Sequence, residues 1–208
     1  MKNLIAFVGF KSSGKNTAAE ALYPLGYVPF SFADSLKDAI ASIFCWDRQL
    51  LEGITEESRE WRESIDFWWA NKLDIPHFTP RWILQNFGTE IMRKTLHDDI
   101  WILNVEKRML SVESAVITDA RFPNEIKMVK SHGGRVIRIK RGPEPEWFET
   151  ARFANFSGNQ QPLVDLRIHP SESAWIGQQF FHTILNDDTI QELHEKVLFS
   201  ESYKKETK

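Results

Sequence analysis

The sequence predicts an α/β fold in which a parallel sheet is covered by helices. Three observations predict it. The chain opens on a near-continuous apolar run, NLIAFVGF; a glycine-bounded, lysine-bearing loop, GFKSSGKNT, leads directly into a helix; and apolar runs then alternate with amphipathic segments to the end of the chain.

Taken in order, residues 3–10 have the length and hydrophobicity of a strand buried on both faces. Residues 15–23 read as a helix with Ala18, Ala19, Ala21 and Leu22 on its apolar side. A short strand, YVPFSF, precedes an amphipathic helix from about Asp34 to Phe44, with Leu36, Ile40 and Phe44 at helical spacing. Thr55 and the two glutamates after it start a further helix, on which Trp61, Ile65 and Trp68 share one face. Thr79 and Pro80 supply an N-cap and a first helical position, opening a helix with Ile83, Phe87 and Ile91 on one stripe and Arg81 and Gln85 on another. Asp98 or Asp99 caps a helix running to about Leu110. AVITDARF reads as a strand, PNEIKMVKSHGG as a helix begun by proline and closed by glycine, and RVIRIKR as a strand. Residues 142–175, rich in glycine and proline, show no sustained period, although short helices can hide in them; such a stretch suits a mobile lid. FHTILN and DTIQELHEKVLF end the alternation as strand and helix, and the polar SYKKETK reads as a frayed tail.

The 208 residues suit one domain with a small inserted subdomain. With 42% hydrophobic and 26% charged residues and a net charge of −3, the chain is not a dedicated binder of nucleic-acid backbone, so no direct DNA binding is expected. A single cysteine, Cys45, excludes an internal disulfide framework, points to a reducing cytosol and reads as a small buried hydrophobe. The opening apolar run is too short to span a bilayer, so no membrane partner and a cytoplasmic setting are expected.

The loop carries the chemistry. Gly9 and Gly14 permit a tight path on which successive backbone amides, through Lys11, Ser12, Ser13 and Asn16, point at phosphate oxygens, and Lys15 reaches the outer phosphates. Asn16 stands where a magnesium-binding hydroxyl is usual, and Thr17 supplies that hydroxyl one residue later. ATP phosphates need Mg²⁺, and Asp119, after the strand AVIT, is the candidate carboxylate. Ala120 follows it in place of a second acid, which favours transfer to an acceptor over hydrolysis. Arg121, Arg138 and Arg141 should emerge at the carboxyl ends of the strands, where moving phosphoryl charge needs cations. Arg138 would be buried at considerable cost unless it met an anion or an acid there.

Together these motifs resemble the bacteriophage deoxynucleoside monophosphate kinases. The resemblance runs in order through GFKSSGKNT, SFADSLKDA, RWILQNFGTEIMR, DDIW, ITDARFPNE, GGRVIRIKR, HPSE and ILNDDTIQEL. It implies a single P-loop kinase domain: a core of about 1–44, 112–141 and 176–200, a helical acceptor-binding insertion at 45–111, and a lid at 142–175. It also implies transfer of the ATP γ-phosphate to a deoxynucleoside 5′-monophosphate, in host cytoplasm if phage-encoded, with a homodimer left open. By motif, Lys15 and the loop amides would hold ATP, with Asn186 beside its base or simply capping a turn; Thr17 and Asp119 would serve Mg²⁺. Asp34 and Lys37 would face the acceptor, as would Arg81 and Gln85, with Arg93 and Trp101 nearby; a core role for Trp101 is equally open. His169 and Glu172 fit an H-x-S-E pattern without an assigned role. The tryptophans of the insertion read as its core in preference to a base-stacking platform. Two alternatives stand beside the kinase: a P-loop kinase of another small acceptor such as dephospho-coenzyme A, for which Asp34 would be the base, and a non-catalytic nucleotide switch.

Overall fold

The computed structural model describes residues 3–202; the tail expected beyond Ser202 lies outside them. The chain divides into two compact units, one made of the residues up to Ser31 and from Arg108 onward, the other Phe32–Lys107.

The first unit holds a five-stranded sheet in the order β2-β3-β1-β4-β5, formed by β1 (Asn3–Val8), β2 (Val28–Phe30), β3 (Ser114–Ile117), β4 (Arg135–Lys140) and β5 (His182–Leu185). All four pairings are parallel. The most hydrophobic run, β1, is therefore central, and β2, which contains Pro29, lies at an edge where a missing amide donor costs least. Phe7 stands opposite Ile137 and Val8 opposite Arg138. Ile5, Phe7, Ile137, Ile139 and Ile184 turn to one side, where they join Ala18 and Ala19 of α1 (Lys15–Glu20) and Leu193 and Val197 of α11 (Ile190–Ser202) in a buried core. Helix α7 (Pro123–Ser131) packs on β1 and β4, burying Ile126 and Val129.

Pro123 opens α7 as expected, and Glu125 closes its first turn by accepting from the amides of Arg121 and Phe122 at 2.7 and 2.9 Å. Helix α1 is shorter than the sequence suggests, because Tyr23–Leu25, with Pro24, forms a tight turn ended by Gly26. The irregular stretch does contain short helices: α8 (Phe148–Ser157), α9 (Gln161–Asp165) and α10 (Pro170–Ser173).

The second unit is helical. Helix α2 runs Asp34–Phe44 as read from the sequence, and Leu36, Ile40 and Phe44 are buried. Thr55 caps α3 (Glu56–Glu63) in a reciprocal capping box with Ser58. The single helix expected to align Trp61, Ile65 and Trp68 does not form. The chain turns extended at Ser64, and Asp66 caps a new helix, α4 (Phe67–Leu73), by accepting from the Trp69 amide. Trp46, Trp61, Trp69, Trp82 and Trp101 pack against the core of Leu36, Ile40, Phe44, Leu51, Phe78 and Ile83, whereas Ile65 and Trp68 are exposed.

Thr79 and Pro80 open α5 (Pro80–Gln85) as expected, but the helix continues through wider π-type turns over Asn86–Leu96. That wider period swings Ile91 off the Ile83 stripe and into solvent. Helix α6 (Ile100–Met109) ends the unit. Cys45, expected to be buried, is exposed, because it takes the left-handed conformation that ends α2 and turns the chain outward. Among the described residues no helix is long and apolar enough to cross a membrane.

Candidate active site

The phosphate loop starts where β1 ends. Gly9 has φ of +143°, and a Cβ there would collide with the carbonyl oxygen of Ile139 on β4. Gly14, at φ of +97°, is the N-cap of α1, and a Cβ on it would strike the side-chain amide of Asn186. Glycine is thus required at both by conformation and by space. Lys11, Ser12 and Asn16 are exposed, while Ser13 is buried and its hydroxyl has no hydrogen-bond partner among the described residues.

The Lys15 ammonium curls back over the loop and donates to the carbonyls of Gly9 and Phe10 at 2.9 and 2.7 Å. Burial above all, and Arg121 after it, lower its pKa to about 8 against the opposing charge of Asp119. These three groups therefore feel one another electrostatically. Asp119 lies two residues beyond β3, and its carboxylate accepts from the Ser31 hydroxyl at 2.7 Å, one residue beyond β2. Thr17 is half-buried on the first turn of α1, and its carbonyl lies 2.9 Å from His194 Nε2 on α11.

Asn186, expected on the loop beside the nucleotide base, anchors that loop with its side chain and its backbone amide. Its amide donates to the Ser13 carbonyl at 2.9 Å, and its backbone N–H donates to Lys140 at 2.8 Å. Arg138 does meet an acid: it donates to both carboxylate oxygens of Glu144 at 2.7 and 2.8 Å. Arg121 and Arg141 are exposed. The HPSE motif makes local hydrogen bonds. His169 Nδ1 caps α10 by accepting from the Ser171 amide, and the Glu172 carbonyl accepts the indole N–H of Trp175.

Within the second unit, Lys37 pairs with Glu52 at 2.6 Å. Arg48 reaches the same carboxylate, Asp38 at 2.6 Å, and Asp34 at 3.7 Å. Burial alone would raise the Glu52 pKa, but Lys37 and Arg48 outweigh it and hold the carboxyl below its ordinary range. Arg81 and Gln85 are half-buried, one turn apart on α5. Arg93 is buried against Asp98 at 2.9 Å, and Trp101 donates its indole N–H to the Gly88 carbonyl.

Sequence reasoning missed Ser31, Glu52, Glu144, Phe10, Trp175 and His194. Glu52 and Glu144 leave a faint trace as acids four residues after Arg48 and Lys140. The others are brought in by contacts that local spacing does not encode.

The donor set suits a nucleoside triphosphate. A glycine cradle that a Cβ would fill, a buried hydroxyl without a partner and a desolvated ammonium meet on one loop. The Thr17 hydroxyl and the Asp119 carboxylate are hard oxygen donors of the kind Mg²⁺ takes beside substrate phosphates.

No protein-family model matches the sequence. A protein of Acanthamoeba polyphaga mimivirus, named as a deoxynucleotide monophosphate kinase, is 35% identical over 152 residues, covering 66% of this chain and 74% of its own. The deoxynucleoside-5′-monophosphate kinase of Escherichia phage T5 is 30% identical over 110 residues; the match spans 52% of this chain and only 39% of the phage enzyme. Among solved structures, shikimate kinase from Aquifex aeolicus aligns over 97% of both chains at 16% identity with a TM-score of 0.48. Dephospho-CoA kinase from Campylobacter jejuni aligns over 97% of both at 17% identity with a TM-score of 0.42.

Proposed function

The chain belongs to the deoxynucleotide monophosphate kinase family, and from that premise we propose how its residues divide the work of moving the ATP γ-phosphoryl group to a deoxynucleoside 5′-monophosphate. The observation that carries the proposal is Lys15, desolvated on the carbonyls of its own loop and electrostatically coupled to Arg121 and Asp119.

Phosphoryl transfer asks a protein for positioning and for charge stabilisation more than for covalent chemistry. The loop amides from Gly9 to Thr17 bind the ATP phosphates, and Lys15 exchanges its two carbonyl acceptors for the outer phosphate oxygens. Arg121, exposed beside Asp119, faces the transferred group. Thr17 and Asp119 would hold Mg²⁺, and Ser31 orients the Asp119 carboxylate. When bound, Mg²⁺ supplies charge neutralisation at the phosphate oxygens.

The acceptor is assigned to the second unit. Lys37 binds its phosphate, and Arg81 with Gln85 reads its base or sugar; Arg93 and Trp101 brace the helices that carry them. The acceptor phosphate is ionised at neutral pH, so the reaction needs no base, and Asp34 has no proton to take.

The test is an acceptor screen with ATP and Mg²⁺, in which each deoxynucleoside monophosphate, the ribonucleotides and dephospho-coenzyme A are followed by chromatography of products. Diphosphate should form with at least one deoxynucleotide and fall by about 100-fold or more in a folded Lys15→Ala variant. Binding of ATP without transfer to any nucleotide overturns the assignment.

A further inference from the structure

The transfer scheme leaves a cluster in the first unit unused. Phe10 directly follows Gly9, and its carbonyl is one of the two that hold Lys15. Its ring makes edge contacts with Trp147, Phe148 and Trp175 at centroid distances of 5.6, 6.2 and 5.0 Å. On β4, the guanidinium of Arg138 lies 5.1 Å from the ring centroid of Phe148 and 5.0 Å from that of Trp175. The same guanidinium grips Glu144, which also takes Lys140 at 3.1 Å. Trp175 is itself buried and fixed through its indole N–H.

A planar cation against two rings, with one NH₂ on both oxygens of a carboxylate, has its position and its plane defined. Its Nε is buried and meets no acceptor among the described residues, so the rings and the carboxylate are what hold it. The side chains of Arg138 and Glu144 are 12% and 24% exposed. Reaching a transferred phosphoryl would require Arg138 to abandon both rings and the carboxylate together.

We propose that Arg138 is a positioning residue and not a transfer cation: with Phe148, Trp175 and Glu144 it forms an aromatic clamp that grips Phe10 and so fixes the loop carbonyls on which Lys15 is presented to ATP. The proposal rests on the kinase reading of the loop. The contacts run without a gap from Glu144 through Arg138 and the two rings to Phe10, and through the Phe10 carbonyl to Lys15.

The experiment is steady-state kinetics with ATP and an accepted deoxynucleotide, together with calorimetric ATP binding and thermal melting. The variants are Phe10→Leu, Phe10→Tyr, Arg138→Met, Arg138→Lys and the Phe10→Leu/Arg138→Met double. Loss of the clamp should raise KM and Kd for ATP by about tenfold, with KM for the acceptor within about twofold and kcat within about threefold. Arg138→Lys keeps the charge without the plane and should behave as Arg138→Met. Phe10→Tyr keeps the ring and should restore wild-type binding. The double variant should be no worse than the worse single, because both cut one chain of contacts. A fall of about 100-fold in kcat at unchanged KM for ATP in Arg138→Lys would make Arg138 a transfer cation and overturn the clamp. So would additive effects in the double variant. If Arg138→Met fails to fold, the Phe10→Leu and Phe10→Tyr pair decides on the same terms. Unchanged ATP binding in Lys15→Ala overturns the kinase reading of the loop instead.

Discussion

The side-chain amide of Asn186 donates a 2.9 Å hydrogen bond to the carbonyl of Ser13, joining the residue after β5 to the phosphate loop 173 positions earlier. The two sites are shaped for each other, because Gly14 has no Cβ to obstruct the amide. Asn186 is 9% exposed, so neither partner has ready access to water in exchange.

Two substitutions separate the donor from the shape. Asn186→Ala deletes the donor, whereas Asn186→Asp keeps the size and sets an anion against a carbonyl. Asn186→Asp should therefore be at least as damaging, with stability in urea down by about 1–3 kcal/mol and KM for ATP up roughly tenfold. ATP-over-GTP preference should not move. A changed base preference would assign the side chain to the nucleotide base.

Lys15 gives the loop a pH signature. Its pKa near 8 in the folded protein, against 10.5 as the ordinary value, means that the free protein loses the ammonium as pH rises through 8. Bound phosphates favour the charged form, so ATP binding above pH 8 should take up a proton, and affinity should fall by about tenfold per pH unit. Stability runs the opposite way. Between pH 8 and 10.5 the unfolded chain still holds this proton and the folded chain does not, so the nucleotide-free protein gains stability across that window. Calorimetry in two buffers of different ionisation enthalpy measures the uptake, and melts of wild type and Lys15→Met isolate the stability effect. Affinity unchanged to pH 9.5 would mean that the lysine is not desolvated.

Much of this was legible in the sequence where a local signal coincided with the global demand. A central parallel strand must be apolar on both faces, and Leu4 to Val8 is. Alternation placed Ile137 and Ile139 opposite in sense to Arg138 and Lys140, and the demand that Arg138 meet an acid is answered by Glu144. The failures share a cause. Asp66 breaks the expected tryptophan helix because its carboxylate caps the Trp69 amide and takes the Trp46 indole N–H, 20 residues away. The π-type turns of 86–96 change the helical period without any residue that announces it. The bond from Asn186 to Ser13 was equally out of reach of the sequence, because its two ends meet only once the sheet has formed.

The tryptophans of the second unit should divide by burial. Trp46 stacks on Phe44 at 4.9 Å, meets Trp61 at 5.6 Å and donates to Asp66, so Trp46→Ala should cost about 3–5 kcal/mol. Trp68 is 60% exposed, and its ring meets Trp69 and carries Lys72. Trp68→Ala should therefore change stability by about 0.5 kcal/mol or less. Urea unfolding measures both. If Trp68→Ala raises KM for the acceptor while stability holds, its ring is a base-stacking surface and not idle.

Glu52 decides how Lys37 is held before an acceptor arrives. One carboxylate serves two cations, Lys37 at 2.6 Å and Arg48, and the lysine side chain is only 13% exposed. Glu52→Gln keeps the shape and removes the charge, leaving both cations facing a neutral amide, so the variant should lose roughly 2 kcal/mol at pH 7. Because the Glu52 pKa is lowered on folding, its stabilising contribution is complete above the ordinary glutamate value of 4.5 and is lost as pH falls through the depressed folded value. The gap in melting temperature between wild type and Glu52→Gln should thus be constant from pH 6 to 7 and close in acid. Acceptor binding tests the same contact from the other side, since under the proposed assignment a phosphate dianion at the Lys37 ammonium has to share or displace Glu52. Removing that competitor should lower KM for the deoxynucleotide and leave KM for ATP unchanged. A raised acceptor KM would instead make Glu52 the group that aims Lys37, and a melting gap that persists in acid would mean that the carboxylate acts by shape alone.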